Sequence, residues 1–321
     1  MAVGCVIGVD LGGTKLLAGA VERDLGVHHR ALRPALGVSA SALVDLVIDA
    51  VEECRNAASV PVEAVGFGIP CLIDQERGMA VMAVNLPIVD VPFREIMSER
   101  LGLPVFLDND ANVAALAEHR YGAARGTRNA VMLTIGTGIG GGLVLDGELF
   151  RGSTGAGAEL GHMVVDLDGP RCQGNCPNHG CLEAVASGTA LAREARRLGE
   201  EQPDSALGAA LAAGREITGL LTTELAHDGD ASAREALAVV GRALGVGIAN
   251  FVNLFNPDVV GVGGGVLAAG DLLLEPARAE VAARALRPSR DVVRIVPARF
   301  GPEAGMVGAA TLAFDGLAGR P

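Results

Sequence analysis

The sequence predicts an α/β protein of two lobes, each grown from one copy of a duplicated unit, and three observations predict it. The chain has 321 residues, long for one hydrophobic core and comfortable for two. Half of it is apolar, yet it has no Trp, one Tyr and eight Phe. Its core is therefore Val, Leu, Ile and Ala with abundant Gly, the make-up of buried strands alternating with helices. Finally, Val9-Asp10-Leu11-Gly12-Gly13-Thr14-Lys15 and Thr134-Ile135-Gly136-Thr137-Gly138-Ile139-Gly140 occupy equivalent places in two successive runs of elements.

The first run opens with a short apolar strand over residues 6–10 that ends at a glycine turn. Strands follow over 16–21 and 28–36. A helix is expected over 41–57, because Leu43, Leu46, Val47, Ala50 and Val51 fall on one helical face. Residues 64–69 read as a buried strand, 95–101 as a short helix, 105–107 as a strand and 112–119 as a helix. The pattern then restarts, with strands over 130–135, 142–145 and 163–165. Helices are expected over 182–225 and 233–254, then a strand over 259–262 that runs into Gly263-Gly264-Gly265, and a last strand over 292–296. A small lobe is expected over 1–118, completed by a helix at 303–315, and a larger one over 119–302 that includes a cysteine loop at 162–183. In a duplicated fold of this kind the active site belongs in the cleft between lobes.

The net charge of -12 supplies no face for neutralising phosphates, so no nucleic-acid partner is expected. The arginines between Arg193 and Arg197 are interleaved with Glu194 and read as a solvated helix face. Asp10 and a glycine turn follow Met1 too closely for a signal peptide. The longest apolar stretch, 239–269, is interrupted by Arg242, Asn residues, Pro257 and Asp258, too often for a membrane span. Six cysteines in a chain of this size are no disulfide framework. Cys5, Cys54 and Cys71 are scattered and three others are clustered, which points to a metal in a reducing, cytoplasmic compartment.

Asp10 to Lys15 links two strands, so it is not a Walker loop, which needs a helix after it. Gly12 and Gly13 let the backbone approach an anion; Thr14 adds a hydroxyl and Lys15 a charge. Asp10, at the strand end, is placed to hold Mg²⁺. Alone, the segment is equally an ordinary hairpin turn. The second turn, Gly136-Thr137-Gly138, tips the reading toward a phosphate clamp. A third, Gly263-Gly264-Gly265, is placed to receive an adenosine or to allow close strand-to-helix packing. Asp108, Asn109 and Asp110 stand where a strand gives way to a helix, and on their own they read as helix caps. Glu159 and His162, three apart, share a face in a helical turn. Cys172-x₃-Cys176-x₄-Cys181, with His162 upstream, offers three thiolates and an imidazole, the donor set of a closed tetrahedral Zn²⁺ site.

This ordered set, with Gly68-Ile69-Pro70, Asn85-Leu86-Pro87, Asn109-Asp110-Ala111-Asn112, Glu159-Leu160-Gly161-His162 and Cys181-Leu182-Glu183, resembles the ROK family (repressors, open reading frames, kinases). That family belongs to the actin-like ATPase superfamily, with its duplicated ribonuclease H-like fold. The likeness runs from Gly8 to about Ala310. It implies an ATP- and Mg²⁺-dependent kinase of a hexose, glucose to glucose 6-phosphate in the simplest case, with N-acetylmannosamine and other hexoses as rivals. A carboxylate suits the chemistry, because a sugar hydroxyl is a poor nucleophile until a base orients it and takes its proton. The resemblance makes Asp110 that base, and Asn109, Asn85, Gly68, Glu159, His162 and Glu183 the sugar site. It further implies a structural Zn²⁺ with no open position, and a homodimer or homotetramer. The family's first cysteine spacing is two residues shorter, so Cys176 and Cys181 match while Cys172 and His179 compete for the remaining place. The family also has Gly where this chain has Cys71. A sugar-responsive repressor of the same family would carry a helix-turn-helix domain ahead of the core, and no room for one is expected before Asp10.

Overall fold

The computed structural model describes residues 4–35, 37–83 and 86–320; Asn85, expected at the sugar site, and Leu36, the expected end of the third strand, lie outside them. The chain divides into two compact units. Unit 1 comprises Met1–Gly126, Gly142–Ala158 and Arg299–Pro321; unit 2 comprises Thr127–Gly141 and Glu159–Ala298. The division falls after Gly126 rather than 118, and Gly142–Ala158, expected in the second lobe, groups with the first.

The first run of elements is β1 (Cys5–Leu11), β2 (Lys15–Val21), β3 (Val27–Pro34), α1 (Ala40–Ala57) and β4 (Val62–Ile69). Then come β5 (Cys71–Asp74), β6 (Met79–Ala83), β7 (Val89–Val91), α2 (Phe93–Leu101), β8 (Val105–Asn109) and α3 (Asp110–Tyr121). The second run opens with β9 (Ala130–Ile135), β10 (Ile139–Leu145) and β11 (Glu148–Leu149), followed by α4 (Leu182–Ala186), α5 (Gly188–Glu201), α6 (Ala206–Ala212) and α7 (Gly219–His227). It closes with α8 (Ala231–Phe255), β12 (Val259–Gly263), α9 (Asp271–Arg284), α10 (Ser289–Val292), β13 (Arg294–Pro297) and α11 (Ala304–Leu317).

Two five-stranded sheets have the orders β3-β2-β1-β4-β8 and β11-β10-β9-β12-β13. Substituting β9 for β1 and continuing in step turns one order into the other, the duplication that the paired glycine turns predict. In the first sheet β1, β4 and β8 are parallel, and β2 and β3 are antiparallel additions. In the second, β9, β12 and β13 are parallel. Every residue of β1 except Asp10 is fully covered, as expected of a strand with helices on its faces.

Two expectations are corrected, and one sheet is unforeseen. The single helix over 182–225 is four helices, α4 to α7. Ser187, Ser205 and Thr218 each accept a backbone N–H as N-caps, and each cap starts a new axis where an apolar pattern alone reads as continuous. Residues 163–165 form no strand, only a bridge between Val164 and Cys181. The small sheet β5-β6-β7 has no counterpart in the sequence reading. The 25-residue α8 is long and apolar enough to cross a membrane by length and composition, but 56% of its apolar window is buried inside the protein. It is a core helix.

Unit 1 is held by α11, which lies against β1, β4 and α3. A Cβ on Gly66 would fall 1.8 Å from the Ala309 carbonyl oxygen, and one on Gly8 would fall 2.0 Å from that of Met306. Backbone therefore meets backbone, and no side chain fits between. Gly66→Ala is expected to cost about 3 kcal/mol, the upper end for overpacking, since the obstacle is main chain and cannot rotate away. The urea-unfolding midpoint measures it, and a near-unchanged midpoint would show that α11 yields freely.

Candidate active site

In unit 1, strand register sets the site. Asp10 of β1 lies beside Gly68 of β4, and Gly68 beside Asp108 of β8, so three parallel strands end level. Such ends are where an α/β sheet presents ligand-binding groups. Asn109 caps α3, its Oδ1 accepting from Ala111 N at 2.9 Å and Asn112 N at 3.3 Å. Asp110 opens the helix, its Oδ1 accepting from Ala111 N at 2.9 Å. The cap fixes the turn that carries the Asp110 carboxylate, at a helix end that favours negative charge.

Asp10 feels that carboxylate. Desolvation first, then Asp110, raises the Asp10 carboxyl to about 7, while Lys15 pulls it down. Thr14 and Lys15 are exposed on the turn, where Gly12 N donates to Lys15 O at 2.8 Å. A partly buried acid beside a second acid fits a divalent cation, whose charge would offset both. Cys71 lies buried next to this group; desolvation, then Asp110, pushes its thiol up to about 12, so it stays protonated and unreactive. Its carbonyl makes a long contact, 3.5 Å, with Asn109 Nδ2.

Sequence reasoning treats Asp108 only as a cap and does not find Arg151. Asp108 is 2% exposed. One oxygen accepts from Asn109 N (2.7 Å) and Asn112 Nδ2 (2.9 Å), and the other from Arg151 Nε (2.7 Å). A charge so buried has to be paired and fully hydrogen-bonded, as this one is. It locks the backbone on which Asn109 and Asp110 stand. The two partners are 43 residues apart, so no local pattern announces them.

In unit 2, Gly136 and Thr137 of the glycine turn line a cavity of about 850 Å³ together with Gly265 and Val266 after β12, Thr189 of α5 and Gly219 of α7. Gly265 of the third glycine run therefore joins the second turn at one cavity. Gly263 ends β12, and Gly264 turns the chain at φ 90° against Ile135. The α5 and α7 residues go unseen in sequence, where this region reads as one helix. A Cβ on Gly138 would lie 2.2 Å from Glu183 Oε2, so a side chain there would displace that carboxylate. Glu183, expected at the sugar, accepts from Ile139 N at 2.8 Å through that oxygen; Cys172 Sγ is 3.7 Å from the other.

Glu159 and His162 bracket a 3-10 turn, with Glu159 Oε2 4.0 Å from His162 Nε2. Desolvation holds the Glu159 carboxyl above its ordinary range; His162 pulls the other way and Glu183 adds to the rise. The other imidazole nitrogen, Nδ1, is 3.5 Å from Cys172 Sγ, and Cys176 Sγ is 3.8 Å from Cys181 Sγ. One atom from each of His162, Cys172, Cys176 and Cys181 lies within 4.8 Å of all the others. Ligands on zinc at ordinary bond lengths stand about 3.5–3.8 Å apart along the edges of a tetrahedron, so the donor set fits that ion. The structure brings Cys172, not His179, into this group. Desolvation, then the neighbouring thiols, push Cys172 far up, and a bound cation would favour its thiolate.

The Asp10 shift gives a pH dependence. Its proton is held more tightly in the folded protein than in the unfolded chain. Any stability tied to that proton is whole below the unfolded value and drains away as pH rises through about 7. Asp10→Asn cannot ionise. In metal-free buffer its melting temperature relative to wild type is therefore expected to climb between pH 4 and pH 8, and a flat difference would refute the shift.

The ROK family model matches residues 6–315. The glucokinase of Streptomyces coelicolor is 36% identical, over 98% of each chain. The crystal structure of a ROK family glucokinase from Streptomyces griseus in complex with glucose and AMPPNP superposes with a TM-score of 0.86 at 35% identity, covering 97% of this chain and 100% of that one. A putative xylose repressor from Caldicellulosiruptor is 30% identical over 99% of this chain and 80% of its own. With its duplicated sheets and its motifs in order, the chain belongs to the ROK family and has the actin-like ATPase fold.

Proposed function

We propose that this protein is a cytoplasmic, ATP-dependent hexose kinase that converts glucose to glucose 6-phosphate. The observation that carries the reading is the placing of Asp110 beside Asp10 at level ends of parallel strands, one carboxylate for a proton and one for a cation. In this reading Asp110 takes the proton of the sugar 6-hydroxyl as its oxygen attacks the γ-phosphorus. The bond from that phosphorus to the β,γ-bridging oxygen breaks, and ADP departs with the electron pair. Asn109 and Asp110, on a turn fixed by Asp108 and Arg151, hold the hydroxyl. Backbone N–H groups of Gly12, Gly13 and Gly136 to Gly138, with Thr14, Thr137 and Lys15, orient the phosphates. The cavity beside Gly265 takes the adenosine.

Mg²⁺, held by Asp10, would supply charge neutralisation on the phosphates. A structural Zn²⁺ on His162, Cys172, Cys176 and Cys181 would order the loop that carries His162 and Glu183. His162 suits a double task, with Nδ1 toward the thiols and Nε2 on the side of Glu159, where it and Glu159 can meet sugar hydroxyls. The acidic charge suits a small-molecule partner rather than nucleic acid, and a homo-oligomer belongs to the same reading.

Asp110→Asn is expected to lower sugar-dependent ADP release by about 10²–10⁴-fold while keeping sugar affinity. A coupled assay over a sugar panel, with calorimetry beside it, measures both. Surviving turnover would remove Asp110 as the base. Sugar binding without turnover in the wild type would favour a regulator, the reading that kinship with a xylose repressor supports. Chelation, with metal content followed by mass spectrometry, is expected to weaken glucose binding. Full affinity in zinc-free protein would refute the metal's role.

A further inference from the structure

Gln173 sits in the loop between Cys172 and Cys176 and belongs to no motif read from the sequence. Its side-chain nitrogen donates to the Thr137 carbonyl at 3.1 Å and to the Ser187 hydroxyl at 3.2 Å. Both amide hydrogens are thereby used, and because a carbonyl only accepts, Thr137 fixes the orientation of the amide. The Thr137 carbonyl takes a second donor, Thr189 Oγ1, at 2.9 Å. Ser187 in turn caps α5 by accepting from Ala190 N at 3.2 Å, and Gly188 N donates to Gly136 O at 2.8 Å. One side chain of the cysteine loop thus joins the glycine turn to the start of α5, and Thr137, Gly188 and Thr189 all line the cavity. Glu183, two residues beyond Cys181, makes the second tie through Ile139 N.

The turn needs such ties. Gly136, Gly138, Gly140, Gly141 and Gly142 fall within seven residues, and glycine loses more conformational freedom on ordering than any other residue. We infer that Gln173 is a positioning residue that passes the order of the metal loop to the glycine turn, so that the loop governs nucleotide affinity as well as sugar affinity. The inference rests on the kinase reading above. It assigns the cysteine loop a task at the nucleotide beside the one His162 has at the sugar.

Gln173→Met keeps the length of the side chain and deletes both donors. Calorimetry with Mg²⁺ and AMPPNP, and separately with glucose, is run on wild type and variant with metal content measured in the same samples. The variant is expected to retain its metal and its glucose affinity and to bind AMPPNP roughly 3- to 10-fold more weakly, the loss of a modest hydrogen-bond pair. Unchanged AMPPNP affinity overturns the inference, as does equal weakening toward glucose. A wild type that binds glucose but no AMPPNP overturns the kinase reading instead. Hydrogen exchange supplies the metal arm. Stripping the metal from wild type is expected to expose residues 136–142 while β9 and β12 stay protected; loss of protection throughout the sheet overturns the route through Gln173.

Discussion

The approach of α11 to β1 governs the chemistry of unit 1 as well as its packing. Gly8, Gly66 and Gly308 let the helix backbone touch strand and helix backbones directly. At the near end of the same helix, a Cβ on Gly305 would lie 2.5 Å from the Asp10 carboxyl carbon. The helix that closes the core thus also takes water from Asp10, and desolvation is the largest cause of its raised proton affinity. A more distant helix would leave Asp10 an ordinary surface acid with less call for a cation. With so few aromatic residues to fill space, small residues at close range supply the contact area that rings supply elsewhere.

Close packing leaves polar groups to be settled one by one, and at the two ends of α3 buried carboxylates do so. Asp108 gathers Asn109, Asn112 and Arg151 around the turn that holds Asp110. Glu118, at the other end of α3 and 1% exposed, accepts from the N–H groups of Ala123, Arg299 and Phe300, each at 2.8 Å. Both ends of α3 are therefore pinned by charge-assisted hydrogen bonds that would be costly to leave half made. The helix carries Asp110 on a mount fixed at both ends.

How much of this the residues announce depends on the range of each interaction. Strand ends and glycine turns are legible because their signal is local: an apolar run, then Asp or Thr, then Gly. The duplication is legible because that local signal repeats. The cysteine group is legible from donor chemistry, but Cys172 and His179 are separated only by how the loop folds, with Arg171 bridged to His179 so that Cys172 faces inward. The breaks among α4 to α7 are missed because the apolar spacing runs on past Ser187, Ser205 and Thr218, and a serine or threonine between two helices is also a tolerable helix residue. The small sheet β5-β6-β7 is missed because its strands are short and its face is only partly covered. Asp108 with Arg151 and Glu183 with Ile139 are pairings across more than forty residues. Only the fold creates them.

The same contrast bears on why the cysteine loop sits against a glycine turn in unit 2. Backbone that must come close to phosphates has to be glycine, since a side chain would hold the anion off, and glycine is the residue least able to hold a shape. Order must then come from neighbours. A tetrahedral metal site orders a short loop with four bonds and no need of a core. The cysteine loop is tied to the turn by Gln173 and Glu183, and with a metal bound it would place a rigid neighbour beside a flexible one. Unit 1 meets the same need at its own glycine turn differently: Gly12 bonds back to Lys15, and Ala35 N closes on the Thr14 carbonyl at 2.9 Å. There the third strand's end does the holding. The duplicated turns stand at equivalent places in the two sheets, and the two copies have found different supports for them.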